Sequence, residues 1–139
     1  MPIRSSRSKV PPFKFTMGDA ASPSERLPQI KNREEHDSIV SRENQQRNIP
    51  IVIYVTSSTP ASRALTPSII ALSKKQEFVD AGVQWYEMEL TSETSPMIKF
   101  GPQNCPIVFL FRGMWCETLL GIRGAEEVEK KVRDMAKRA

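Results

Sequence analysis

The stretch Ile49-Pro50-Ile51-Val52-Ile53-Tyr54-Val55-Thr56-Ser57-Ser58-Thr59-Pro60-Ala61-Ser62 changes character at its midpoint. Its first half is β-branched and apolar on both alternating faces, the pattern of a central strand covered on both sides. Pro50 stands at the start of the run, where a missing ladder donor is tolerated. Ser57-Ser58 ends it. Thr59 then offers a hydroxyl to the free amides of a first helical turn, and Pro60 suits the first helical position. The predicted helix continues to about Gln76, with Leu65, Ile69, Ile70 and Leu72 on its apolar face and Pro67 as a kink.

Toward the N-terminus, Leu27–Asn32 is expected as a short first strand, and Arg33-Glu34-Glu35 opens a helix to about Asn44. His36, Ile39 and Val40 share the buried stripe of that helix. His36 is the only histidine. It has no Cys, Asp or Glu at ligand spacing, so it is assigned to the edge of the core, not to a metal. Toward the C-terminus, Val83–Leu90 alternates as a strand, and Ser95–Phe100 is a short helix. Ile107–Phe111 and Trp115–Leu120 form a hairpin around Arg112-Gly113-Met114. Ala125–Arg138 is a closing amphipathic helix with Val128, Val132 and Met135 facing inward.

This order of elements resembles the thioredoxin family, and particular spacings support the likeness. In that family a central strand runs into Trp-Cys-Gly-Pro-Cys at a helix start, with a kinking proline five residues after the second cysteine. Here Ser58-Thr59-Pro60-Ala61-Ser62 follows the strand, and Pro67 lies five residues after Ser62. Phe100-Gly101-Pro102-Gln103-Asn104-Cys105-Pro106 is similar to the family's segment ending in a cis proline, and Gly121 falls where the family has a glycine after the last strand. The resemblance implies a thioredoxin-like three-layer α/β sandwich over residues 28–139. Its central mixed sheet has four to five strands flanked by helices. Residues 1–27 form an extended basic arm.

The departures carry the functional expectation. Thr59 and Ser62 occupy the two redox cysteine positions, Ser58 the tryptophan position, and Ile53 the position of the buried acid. A thiolate is the nucleophile of disulfide exchange, and a threonine hydroxyl has no comparable acidity. The expected protein is therefore a non-catalytic, structural or protein-binding subunit of a larger assembly, without a cofactor. The family's groove maps onto Ser58, Thr59, Pro60, Asn104, Cys105, Pro106, Gly121 and Ile122, and it binds extended peptides beside the cis proline. The alternative is a thiol- or glutathione-dependent oxidoreductase or transferase that uses Cys105 or Ser62.

Charge and cysteine usage narrow the rest. Residues 1–27 hold five basic and two acidic side chains, net +3, whereas the other 112 carry 15 basic and 14 acidic, net +1. Nucleic acid is thus expected only through the arm. Val10, Phe13 and Phe15 interrupt the arm's polar sequence as candidate anchors. Cys105 and Cys116 are too few for a secreted disulfide framework. In a hairpin that sets Cys116 opposite Leu110, the two lie roughly 16 Å apart, beyond the about 7 Å a disulfide allows. No apolar run reaches the roughly 18 residues of a membrane span, and no signal-peptide h-region is present. The expected setting is intracellular, either cytoplasmic (including axonemal) or mitochondrial.

Overall fold

The computed structural model describes residues 26–138. The candidate anchors Val10, Phe13 and Phe15 lie outside them. Strand β1 (Ile51–Thr56) is buried at every residue, as a strand covered on both faces must be. It pairs in parallel with β2 (Gln84–Glu89) and antiparallel with β3 (Ile107–Arg112), which pairs antiparallel with β4 (Trp115–Leu119). The result is a four-stranded mixed sheet in the order β2-β1-β3-β4.

Alternation along β1 sends side chains into two cores. Val52 and Tyr54 face one side, packed with Leu65, Ile69 and Leu72 of α3 (Pro60–Ser73) and Val128, Val132 and Met135 of α5 (Ala125–Ala136). Ile51, Ile53 and Val55 face the other, with Ile30, Met88, Cys105 and Ile107. Ile39 and Val40 pack against that second core. They sit at the end of α1 (Arg33–Ile39), just before α2 (Arg42–Gln46). The layers are helix, sheet and helix, the thioredoxin-like arrangement.

Several expectations need correction. Leu27–Asn32 is not a strand. Pro28 lacks an N–H, Asn32 caps α1, and only Gln29 bridges to Glu87. The helix expected over 33–44 breaks at Val40, and Ser41 caps a second helix by accepting from the Asn44 N–H. Helix α3 ends at Ser73, and a separate α4 (Gln76–Asp80) follows, inserting the fully buried Phe78. The hairpin register is shifted by one residue. Its turn is Gly113-Met114, with Gly113 at φ +62°, so Cys116 lies opposite Phe111 and not Leu110. The segment expected as a helix over 95–100 contributes only a 3₁₀ turn, Ser95–Met97. Packing against the sheet begins at Arg26 and Leu27, ahead of the expected boundary at residue 28. No described helix is long and apolar enough to cross a membrane.

Candidate functional site

The β1–α3 junction is built from hydroxyls. Thr59 is the N-cap of α3, its Oγ1 accepting from the Ser62 N–H at 3.4 Å, and Pro60 follows as the first helical residue. Ser62 is fully buried. Its Oγ accepts from the Ser57 N–H at 3.2 Å and from Thr59 Oγ1 at 3.2 Å, while Ser57 Oγ donates to Thr59 Oγ1 at 3.0 Å. The two positions expected to be degenerate redox sites are therefore joined to each other, and they tie the strand's end to the helix's first turn.

Behind Ser62, the buried Tyr54 hydroxyl donates to the Ser62 carbonyl at 2.9 Å and lies 3.0 Å from Thr66 Oγ1. Burial pushes the Tyr54 phenol up to about 12. Ile53, at the family's acid position, is fully buried in the apolar core that also holds Cys105.

Cys105 precedes a cis peptide bond to Pro106, as the resemblance implies. Both residues are buried. Burial pushes the Cys105 thiol up, with a hydrogen bond from Ser57 opposing it. A thiol shifted in that direction is mostly protonated at neutral pH and is a poor nucleophile. The Cys105 N–H donates to the Pro102 carbonyl at 3.1 Å, within the 3₁₀ turn Pro102–Asn104. Asn104 accepts from the Gly101 N–H through its side chain and from the Gly121 N–H through its carbonyl. The Ile122 N–H reaches the Pro106 carbonyl at 3.3 Å, so the loop after β4 is stitched to the proline loop. Gly121, at φ +57°, makes the turn that permits it. Both cysteines are free.

An open depression of about 700 Å³ lies between α3 and this stitched loop. Of the eight residues expected to form the groove, Cys105, Pro106, Gly121 and Ile122 line it. Ser58, Thr59, Pro60 and Asn104 do not, although Ser58 and Pro60 are exposed nearby in the chain. The α3 wall is instead Ala61, Ala64, Leu65 and Ser68, and the opposite wall adds Arg123, Glu126 and Glu129. The spacing 61-64-65-68 is one helix face of mostly small residues, a signal present in the sequence. The described residues hold no cluster of His, Cys, Asp and Glu suited to a metal ion.

No protein-family model matches the chain, and no curated protein sequence matches it. Its likeness is to solved structures. Thioredoxin O2 from Arabidopsis thaliana, in its oxidized state, superposes with a TM-score of 0.65 at 20% identity, over 84% of this chain and all of that one. Thioredoxin O1 from the same plant gives 0.65 at 22% identity, over 81% and 99%. A mutant thioredoxin from Halobacterium salinarum gives 0.63 at 13% identity, over 87% and 99%. With the mixed four-stranded sheet and its helical layers, these likenesses establish that the chain adopts the thioredoxin-like fold.

Proposed function

We propose that this protein is a redox-inactive, thioredoxin-like binding subunit of a larger protein assembly. It would use the depression between α3 and the loop 121–124 with the start of α5 to hold an extended segment of a partner. The observation that carries this reading is the closed hydroxyl cluster of Ser57, Thr59 and Ser62. It keeps the helix start that shapes the site while supplying no thiolate. A partner segment could meet the apolar floor of Leu65, Pro106 and Ile122 and find charged side chains, Arg123, Glu126 and Glu129, at the wall. The basic arm is a second contact surface in this reading, and the one place where nucleic acid could bind.

The test is affinity capture from native extract with the wild type and with Ala64→Glu, which places a long charged side chain on an exposed position of the groove wall. The proposal expects a defined set of co-purifying proteins that is lost with Ala64→Glu. Recovery of the same proteins with both forms would overturn the groove assignment. The thiol-dependent alternative predicts turnover in insulin reduction or glutathione conjugation that disappears in Cys105→Ser or Ser62→Ala. The raised Cys105 thiol weighs against it.

A further inference from the structure

The two edges of the sheet are finished differently. At β2 the chain covers its own edge at Glu87: the Ile30 N–H reaches the Glu87 carbonyl and the Glu87 N–H the Pro28 carbonyl, both at 2.8 Å. At the other end β4 is last in the sheet, and among the described residues nothing pairs with its outer side. An open edge presents a row of free N–H and C=O groups, and proteins usually guard it with lysine, proline or a bulge. Trp115-Cys116-Glu117-Thr118-Leu119 has none of these. Its single charge, Glu117, is neutralised by Lys131 at 2.8 Å.

We propose that this edge is the interface between two copies of the chain, their β4 strands antiparallel about a two-fold axis at Glu117. The sequence of the strand is self-complementary in that register. Glu117 is the midpoint of β4, so all five residues pair. Met114 falls opposite Leu120 of the second copy. These are two of the three exposed large hydrophobic residues among those described, at 94% and 44% exposure, and they flank the same strand. Cys116 falls opposite Thr118, both exposed. The two Glu117 carboxylates meet, a contact that would repel, but each arrives with its own Lys131, and the four charges sum to zero. Shifting the axis to Cys116 leaves Met114 against Thr118 and Leu120 against Arg112, and it shortens the pairing. The closed interface is isologous and extends the sheet to eight strands.

Sedimentation of the full chain over a range of concentrations is expected to show a monomer–dimer equilibrium. Thr118→Lys, which puts a charge on the exposed face of the edge, is expected to weaken it about tenfold. Under mild oxidation with diamide, which takes up the protons and electrons as two thiols join, Thr118→Cys is expected to give a covalent dimer. Adding Cys116→Ser should remove that dimer, because the new thiol faces position 116 of the other copy and not its own equivalent. A chain that stays monomeric at every concentration would overturn the proposal. So would a dimer unaffected by Thr118→Lys, or a crosslink that persists without Cys116. None of these outcomes bears on the groove, which lies on other residues.

Discussion

Tyr54→Phe should change the protein's stability in opposite directions at neutral and alkaline pH. The hydroxyl is buried and donates to the Ser62 carbonyl at 2.9 Å. Its removal costs about 1 kcal/mol at neutral pH and no more, because that carbonyl keeps the Thr66 hydroxyl at 2.8 Å as a donor. In the folded protein the phenol titrates at about 12 instead of 10.0, chiefly because burial disfavours the phenolate. Between those values the native state holds a proton that the unfolded chain has released, so the stability is fully present below about pH 10 and falls as pH rises. The full loss is about 3 kcal/mol, of which about 1.4 kcal/mol is gone by about pH 11. The wild type's advantage over Tyr54→Phe should therefore vanish a little below about pH 11 and reverse by about pH 12. Urea unfolding at several pH values, followed by fluorescence of Trp85 and Trp115, measures both curves. If the two proteins lose stability in parallel across this range, the phenol is not held in its neutral form by burial, and the reasoning fails.

Other perturbations test separate parts of the architecture. Ser62→Ala leaves the Ser57 N–H without its acceptor and should lower the unfolding free energy by about 1–2 kcal/mol, read from the denaturant midpoint. Arg112→Met removes donors from the Met135 and Ala136 carbonyls, at 3.0 and 2.8 Å, which end α5. It should cost about 2 kcal/mol and loosen the last turn of that helix first in hydrogen exchange. With iodoacetamide at neutral pH, the exposed Cys116 should be alkylated well before the buried Cys105, as peptide mass spectrometry would show. Equal rates would contradict the burial of Cys105.

The sequence revealed most where local chemistry and burial agreed. Five apolar residues at 51–55, followed by Thr56 and then Ser-Ser-Thr-Pro, specify both a buried strand and a capped helix, and the structure has both. It misled where a short apolar run had a competing local partner. Leu27–Asn32 has the composition of a strand, yet Asn32 caps α1 and Pro28 cannot donate, so only one bridge forms. Phe78 was invisible as a core residue because α4 has five residues, too few to show a period. At the site, Cys105, Pro106, Gly121 and Ile122 were placed by family spacing alone. The α3 wall was missed because alanines at 61 and 64 say little by chemical type, and only their helical spacing gives them a common face. Beside Gly113, Arg112 has the look of a turn residue, and that places the hairpin one residue out of register. In the structure Arg112 pairs with Trp115.

The segment that covers the β2 edge at Glu87 has a mechanical meaning. Leu27 is buried in one core and Ile30 in the other, and Arg26 and Gln29 grip the buried Glu87 carboxylate at 3.1 and 3.2 Å between them. Residues 26–30 thus work as a clasp across the edge of the sheet. Tension applied through the N-terminal residues would load this clasp before it reached any strand. Because its two anchors sit on opposite faces, it would have to release both at once. A subunit tethered by its N-terminus would hold its sheet intact until that release, and then expose the β2 edge in a single step.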